Sequence, residues 1–358
     1  MKKIILITLG GLGLVAVIVG VLIYRNNTVS TNNATLNTVL NNAVTTTVNT
    51  ISNTNTTNET RTLDEHSCNL NQLFTPPPDE NNLNDITLYA STSQDGITFS
   101  DEIVFVEGGG VPSVTAGADG TLVAVFNWFP VYADNPECYN KVAIQTSDDG
   151  GQTWDGPYGL YVEDFPENYQ LPFDPTITTT ADGQYRLFFT THVLGMEEPF
   201  VYGTALSADG LHYTYDGIAF QSDEYDVVDG SEVRVGDTWT MIAPMAKQNG
   251  AALQATSDDG QTFTAVDSDR PAHSIYWVGN MVNVDGTIRF YGSCGIDSGE
   301  QGLCFSSTTD GITWSDAIKT NVPPSDPGIA YTADGTFVII YPEPNTMTLP
   351  EDSNVNKR

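Results

Sequence analysis

Positively charged residues are scarce in this 358-residue chain. Lys and Arg number 13 against 45 Asp and Glu, which gives a formal net charge of −32 at pH 7. Such an excess of carboxylates disfavours binding to nucleic acid and to anionic lipid surfaces, because both carry the same sign of charge. Solubility outside the cell explains most of this charge, so the charge alone assigns no function.

Long apolar stretches are also rare, and one of them is long enough to cross a bilayer. Residues 4–24 are uncharged and follow Lys2 and Lys3. No small-residue cleavage site follows this run, which favours an uncleaved transmembrane signal-anchor over residues 1–25; the alternative is a cleaved signal peptide. Because the two lysines stay inside, the remaining chain is expected outside the cytoplasm, held at the cell membrane by a single pass.

Two further segments have too few large apolar side chains to form a core. Residues 26–63 consist mainly of Asn, Thr, Val and Ser and predict a disordered stalk. Residues 344–358 predict a disordered tail. The folded domain is therefore expected over residues 64–343, a length that fits one domain.

Cysteine is scarce as well, with four residues in the chain. In an exported protein an even number favours disulfides, and four cysteines allow three pairings. Cys294 and Cys304 flank a loop between two predicted strands, so a cross-strand bond is favoured there, which leaves Cys68 to pair with Cys138. No C-x-x-C spacing occurs, so metal binding by these residues is not expected.

One short pattern, by contrast, is abundant: Ser or Thr, any residue, Asp and Gly, followed in most copies by Thr and an aromatic residue. The five copies, of which the second carries an insertion, lie at residues 91–99, 146–157, 206–213, 256–263 and 307–314. The Asp side chain can accept hydrogen bonds from turn amides, and Gly supplies the positive φ that such a turn needs. Each copy therefore predicts a β-turn closed by its own side chains.

A second series of turns alternates with the first. Asp-Gly or Gly-Asp pairs between alternating apolar residues occur at residues 117–126, 180–189, 235–242, 283–291 and 332–340. This pattern is a strong hairpin signal. Two interleaved series, repeating about every 50 residues, predict an all-β, five-bladed β-propeller.

The two series also predict how the ring closes. Four complete blades fit residues 112–162, 174–222, 229–268 and 276–320. Residues 86–106 and 327–342 supply two strands each, and neither pair can cover its own edge. We expect them to combine as the fifth blade.

The pattern Ser-x-Asp-x-Gly-x-Thr-Trp at residues 147–154 resembles the Asp-box, or bacterial neuraminidase repeat, of sialidase-like propellers. The other four copies are one residue shorter, and one of them has His212 and Tyr213 where Thr and Trp are usual. The resemblance spans roughly residues 86–342. It implies a propeller whose repeated turns lie on the outer rim, away from the functional site.

Strand alternation places the short turns on one face of the disc and the long connections on the other. The long connections are rich in aromatic and acidic residues, which suit stacking on sugar rings and hydrogen bonding to hydroxyl groups, so they predict a glycan-binding surface. The aromatic candidates for binding substrate are Trp128, Tyr169, His273 and Trp277. The alternative is that these side chains pack beneath their own loops.

The inner strands supply the candidate catalytic residues. Two of them begin with Asp-Pro, at Asp174 and Asp326, and a third begins DGSEV and contains Glu232. An inner strand starts at the mouth of the central funnel, where carboxyls from different blades can converge. Glycoside hydrolysis needs one carboxyl as acid and another as base or nucleophile, although Asp-Pro also suits the start of a strand.

This layout is similar to that of the five-bladed furanosidases of glycoside hydrolase family 43. That family carries a base Asp on one inner strand, a second Asp two blades on, and an acid Glu one blade further. The resemblance implies an inverting reaction with Asp326 as base and Glu232 as acid, while Asp174 raises the pKa of Glu232. In this chain the first of the three comes last, which requires a circular shift of the blades.

Sialidase chemistry fits less well. The family surrounds the substrate carboxylate with three arginines after a Phe-Arg-Ile-Pro start and uses a Tyr nucleophile, whereas that tetrapeptide is absent here. The arginines of the predicted propeller are Arg186, Arg234, Arg270 and Arg289. Arg234 shares a strand face with Glu232, so it is either a substrate-binding residue or the partner of an internal ion pair. An anionic substrate is therefore disfavoured.

Two classes of function follow. The first is an exported glycosidase that hydrolyses neutral glycans; the alternative is a non-catalytic propeller that binds glycans or a protein partner through the same loops. We expect a monomer without a cofactor. The carboxylate-dense residues 221–229 leave a structural calcium ion as an alternative, because oxygen ligands in a loop suit that ion.

Overall fold

The computed structural model describes residues 85–130, 141–196, 199–222, 226–245, 252–266, 275–295 and 299–342. These residues lie in the unit Leu63–Arg358. They form strands, turns and loops without an α-helix, as the sequence predicts, and within them no helix is long and apolar enough to span a bilayer. The predicted anchor, stalk and tail lie outside the described residues.

The strands of the described residues follow one another closely along the chain. The first eleven are β1 (Thr87–Ser93), β2 (Ser100–Glu107), β3 (Gly109–Ala116), β4 (Leu122–Trp128), β5 (Lys141–Ser147), β6 (Asp155–Gly159), β7 (Val162–Glu163), β8 (Phe173–Thr179), β9 (Tyr185–Thr191), β10 (Val201–Ser207) and β11 (Tyr213–Phe220). The next ten are β12 (Ser231–Val235), β13 (Thr238–Pro244), β14 (Ala252–Ser257), β15 (Thr264–Val266), β16 (Ile275–Val284), β17 (Thr287–Cys294), β18 (Gly302–Thr308), β19 (Ile318–Lys319), β20 (Gly328–Tyr331) and β21 (Phe337–Pro342).

Five sheets group these strands into the blades of a propeller. Blades 1 to 4 take their antiparallel strands in chain order, from β3–β6, β8–β11, β12–β15 and β16–β19. The first strands of the blades contact one another in turn, β3 with β8, β8 with β12, β12 with β16, β16 with β20, and β20 with β3. These inner strands therefore form a closed ring, which confirms the predicted five-bladed, all-β architecture.

The fifth blade joins the two ends of the described chain. Its strand order is β2-β1-β21-β20. β1 and β21 pair antiparallel from Leu88 opposite Pro342 to Ser93 opposite Phe337. The predicted closure is thus confirmed: the strands that lack partners in sequence supply each other's edges.

Blade 2 has a fifth strand that the sequence pattern does not predict. The two-residue β7 pairs in parallel with the outer strand β11, with Val162 opposite Tyr213. Such a short pairing carries no alternating pattern in the sequence. It covers an outer edge that would otherwise expose unpaired backbone groups.

The hydrophobic core lies between neighbouring blades. β4 and β9, the second strands of blades 1 and 2, are buried at every residue, because a second strand packs against other blades on both faces. Val125 of β4 and Leu187 of β9 belong to one apolar cluster, whereas Phe188 of β9 joins Trp239 of blade 3 in another. Alternate residues of one strand therefore join it to two neighbours.

The Ser/Thr-x-Asp-Gly turns close as their sequence predicts. In the first, Asp95 Oδ1 accepts hydrogen bonds from the amides of Ile97 and Thr98, each at 2.8 Å, and Ser93 Oγ accepts one from the amide of Gly96 at 2.9 Å. Corresponding bonds form in the turns of Asp149, Asp209, Asp259 and Asp310. These bonds stay within each turn, so they shape the hairpins.

A disulfide joins the two middle strands of blade 4. Cys294 of β17 and Cys304 of β18 are bonded, with their Cα atoms 5.8 Å apart, which confirms the predicted cross-strand bond. The second predicted pair, Cys68 with Cys138, lies outside the described residues.

Candidate active site

Each inner strand has an equivalent residue at or near its start, here called the strand start, and in three of the five strands this residue is aspartate. The register between inner and second strands aligns these starts. The aligned residues are Val111, Asp174, Asp229, Val278 and Asp326, each followed by Pro or Gly. Carboxyls from blades 2, 3 and 5 therefore occupy equivalent places around one axis.

Two of these aspartates share an uncommon backbone conformation. Asp174 has φ = 47° and Asp229 has φ = 49°, close to the 48° of Val111 in blade 1. Non-glycine residues rarely adopt this left-handed region, although Asp tolerates it better than most. Such strained residues cluster at functional sites.

Side chains from the preceding blade hold both strand starts. The amide of Asp174 donates to Asn127 Oδ1 at 3.1 Å, and Asn127 Nδ2 donates to Asp174 Oδ1 at 2.8 Å. The amide of Asp229 donates to Thr190 Oγ1, also at 3.1 Å. Asn127 and Thr190 occupy the same place on their second strands, so the blade-to-blade support repeats around the ring.

Glu232 lies within β12, three residues along the chain from Asp229. Glu232 is 2% exposed. The Tyr202 hydroxyl donates a hydrogen bond to its Oε2 at 3.3 Å. Its Oε1 is buried without a hydrogen-bond partner. A Cβ on Gly230 would lie 2.9 Å from that Oε1 and 2.7 Å from Tyr202 Oη. The Glu232 carboxyl therefore lies beside Gly230, in space that a side chain at position 230 would fill.

The four carboxyls differ in exposure. Asp326 is 6% exposed and Glu232 less still, whereas Asp174 and Asp229 remain partly exposed. We call Asp174, Asp229, Glu232 and Asp326 the carboxyl cluster. Asp174 and Asp229 are therefore the members of the cluster with the larger accessible surface.

Burial raises the pKa of every member of the carboxyl cluster. The pKa of Asp174 rises to about 6, against the opposing effect of the hydrogen bond from Asn127. Burial and the charge of Asp174 raise the pKa of Asp326 to about 8, and burial raises the pKa of Glu232 well above its ordinary value. Carboxyls with different proton affinities in one site can act as acid and base.

Asp229 is the member of the cluster that the sequence-based assignment missed. Burial raises its pKa well above the ordinary value, and repulsion from Asp326, Asp174 and Glu232 adds to the rise. Asp229 thus lies within electrostatic reach of all three predicted catalytic carboxyls. The sequence signal for Asp229 is its alignment with Asp174 and Asp326. This signal is weak because Gly follows Asp229 where Pro follows the other two, and because Glu232 is a second acidic residue nearby.

Two of the four predicted aromatic binding residues have side chains that the structure describes, and both pack against other apolar or aromatic side chains. Trp128 is 1% exposed and belongs to the core of blades 1 and 5, so its ring has no face open to a ligand. Tyr169 is half-buried, with its ring centroid 6.4 Å from that of Phe165. His273 and the side chain of Trp277 lie outside the described part of the structure.

Arg234 does not form the ion pair with Glu232 that its sequence position left as the alternative to substrate binding. Its Nη2 lies 3.3 Å from Asp237 Oδ1 in the turn that ends β12. The side chain therefore points towards the turn end of the strand, because the two residues flank the same hairpin. This exposed pair adds little stability.

The described residues contain no group of three or more His, Cys, Asp or Glu side chains arranged to hold a metal ion. The calcium alternative named residues 221–229, of which 223–225 lie outside the described residues. Within that segment, Asp226 Oδ1 accepts a hydrogen bond from the amide of Phe200 at 2.8 Å. The calcium site stays a prediction.

Several solved structures are similar to this one. A protein of unknown function from Dyadobacter fermentans superposes with a TM-score of 0.50 at 15% identity, covering 72% of this chain and 84% of its own. The Hadza microbial sialidase Hz136 gives 0.48 at 15% identity, with 67% of this chain covered, and the chain spans 56% of that sialidase. An α-L-arabinofuranosidase, CtGH43 from Clostridium thermocellum, gives 0.46 at 13% identity over 64% of this chain and 81% of its own.

A family 117 glycoside hydrolase is also among the similar structures. At these identities the likeness concerns the fold alone. No family model matches the sequence, and no curated protein matches it.

Proposed function

We propose that this protein is a glycoside hydrolase that acts on neutral glycans outside the cell. The observation that carries the proposal is the carboxyl cluster, in which equivalent strand starts from three blades bring together groups of unequal proton affinity. Glycoside hydrolysis requires one carboxyl that keeps its proton and another that gives it up, on opposite sides of the scissile bond.

A neutral substrate is favoured because the described arginines are engaged elsewhere. Arg186 Nη1 lies 2.7 Å from Asp216 Oδ2, Arg234 pairs with Asp237, and Arg289 lies over two aromatic rings. A substrate carboxylate placed among the cluster would meet repulsion, and these three described arginines are held by other groups.

In the proposed reaction a water molecule attacks the anomeric carbon while a blade 3 carboxyl protonates the leaving oxygen. Asp326 accepts the proton of that water when its own carboxyl is ionised; burial and the charge of Asp174 raise the pKa of that carboxyl to about 8, so activity rises as pH approaches this value. The resemblance to family 43 assigns the blade 3 role to Glu232 and implies inversion at the anomeric carbon. Inversion needs an acid and a base about 6.5–9.5 Å apart.

A second candidate function, glycan or protein binding without catalysis, is favoured by one feature of blade 2. Two loops pair there through Tyr169 and Val193, and they carry Leu171, Leu194 and Met196, each about half exposed. Exposed apolar side chains on adjoining loops are typical of binding surfaces. This surface would serve a binding protein without any use of the carboxyl cluster.

We further propose that the chain is an Asp-box propeller displayed on the membrane by its N-terminal segment. The five side-chain-closed turns support the first part. The uncharged run at residues 4–24 supports the second. Recovery of the full-length protein in the soluble fraction, with its first 25 residues intact by mass spectrometry, would contradict the anchor.

The test of the hydrolase is a screen of the full chain in detergent against aryl glycosides of neutral sugars, alongside a glycan array. We expect turnover of at least one glycoside, with inversion visible by NMR of the first-formed product. Turnover should be lost in Asp326→Asn and kept in Asp285→Asn, whose carboxyl lies in an exposed turn. Specific glycan binding without turnover would favour the binding protein instead.

A further inference from the structure

We propose that Asp229 is the proton donor of this site and that Glu232 is a positioning residue beneath it. The assignment rests on the proposed hydrolase function and names the residue that performs one of its steps. It differs from the role that the sequence resemblance implies for Glu232.

The first argument is equivalence of position. Asp229 and Asp174 share the same left-handed φ within 2° (49° and 47°). The amide of each donates at 3.1 Å to a side chain from the same place on the preceding blade. Asp229 therefore occupies the same place at the start of its blade as Asp174 does, whereas Glu232 lies three residues further along the chain, within β12.

The second argument is access. A proton donor must come within about 2.6–3.2 Å of the leaving oxygen. Asp229 is partly exposed, but Glu232 is 2% exposed, below Gly230 and against the Tyr202 hydroxyl. The Glu232 carboxyl is thus covered by the chain that carries Asp229.

The third argument is charge. Asp326, Asp174 and Glu232 all repel a negative charge on Asp229. The same charge contributes to raising the pKa of the buried Tyr202 hydroxyl. Since these groups face Asp229 from blades 2, 3 and 5, the proton of Asp229 is held more tightly than in water. Glu232 contributes from the same strand, which gives it a role without contact with substrate.

The step balances with these residues alone. The Asp229 proton moves to the glycosidic oxygen as the bond to the anomeric carbon breaks. Water forms the new bond to that carbon and gives its proton to Asp326. One water molecule is consumed, and proton exchange with solvent restores both carboxyls.

The test compares Asp229→Asn with Glu232→Gln in the full-length protein, on aryl glycosides with good and poor leaving groups. We expect Asp229→Asn to lose about 10²–10⁴-fold on the poor leaving group and far less on the activated one. Glu232→Gln should reduce both substrates equally and move the basic limb of the kcat/KM profile to lower pH. Asp285→Asn is the matched control and should change neither the turnover of the two substrates nor the kcat/KM profile.

A leaving-group-dependent loss in Glu232→Gln, with none in Asp229→Asn, would make Glu232 the donor and leave the hydrolase function standing. A second measurement needs no substrate. Carboxyl ¹³C NMR of the free protein should show Asp229 titrating above its ordinary range and moving down in Glu232→Gln. An Asp229 that titrates near about 3.9 would overturn the assignment whether or not hydrolysis is found.

Discussion

Aspartates at the two ends of the propeller respond to folding in opposite ways. In the turns, a hydrogen bond from the Thr153 hydroxyl, with others from the turn, lowers the pKa of exposed Asp149 to about 2. Amide hydrogen bonds lower the pKa of Asp310 to the same value. At the strand starts, burial raises the pKa of Asp174 to about 6 and of Asp326 to about 8.

The difference separates scaffold from site. A turn carboxylate keeps its contact with water and gains donors, so folding stabilises its charge. A strand-start carboxyl loses contact with water and lies near other carboxyls, so folding stabilises its protonated form. The most repeated aspartates therefore build the hairpins, and the less frequent ones form the candidate active site.

The sharpest test of this contrast replaces one aspartate at each end. Asp326→Asn should lower kcat/KM for a glycoside by about 10²–10⁴-fold, because the amide cannot accept the proton of water. Asp310→Asn should leave kcat/KM unchanged. Steady-state kinetics of both variants at one pH checks this, and equal losses in the two would erase the distinction between the ends.

Glycines at the two ends are required for different reasons, and alanine tests each. Gly230→Ala places a methyl group against Tyr202 and Glu232, and we expect a loss of about 1–3 kcal/mol together with impaired hydrolysis. Gly183→Ala meets open space but keeps φ = 82°, which costs about 1–2 kcal/mol without affecting hydrolysis. Urea unfolding and kinetics of both variants provide the comparison, and full activity in Gly230→Ala would separate Glu232 from function.

The fold could be predicted because its signals are local. A turn such as that at Asp95 contains its own hydrogen-bonding partners, so a short sequence pattern suffices to place it. Ring closure by β1 and β21 followed from counting unpaired strands. β7 could not be predicted, since a two-residue parallel pairing depends on where β11 lies in space.

The site was less predictable because burial and cross-blade contacts decide it. Trp128 has an aromatic ring of the kind that stacks on sugars, yet side chains of blades 1 and 5 bury it. Asp229 and Glu232 are three residues apart, and only the ring geometry shows which one faces outward. The spacing of Asp174 and Asp326 signalled a shared site without giving their proton affinities.

The stability of the two ends should depend on pH in opposite directions. The folded pKa of Asp326, about 8, exceeds its unfolded value of about 3.9, so its contribution is complete below pH 4 and is lost as pH rises through 8. Asp326→Asn should therefore raise Tm at pH 8.5, by roughly 4–8 °C if about 2 kcal/mol is recovered, and change little at pH 4.

The turn aspartates provide the opposite sign. Asp149 has a folded pKa of about 2, so its contribution is present above pH 4 and is lost as pH falls through 2. Asp149→Asn should lower Tm at pH 7 and converge with the parent protein near pH 2. Differential scanning calorimetry across this range measures both effects, and parallel pH profiles for the two variants would refute the contrast.

The smallest expected effect concerns the charge that Asp174 exerts on Asp326. If Asp326 is the base, kcat/KM rises with pH through about 8, the pKa of its carboxyl in the free protein. Asp174→Asn removes a repelling charge while its amide can still bond Asn127, so the acid limb should move about one unit lower. Asp182→Asn, in an exposed turn, should leave the limb in place. An acid limb near 6, the pKa of Asp174, that disappears in Asp174→Asn would instead make Asp174 the base. The two aspartates, which lie at equivalent strand starts, would then exchange roles, because the hydrogen bond from Asn127 favours the ionised form of one of them.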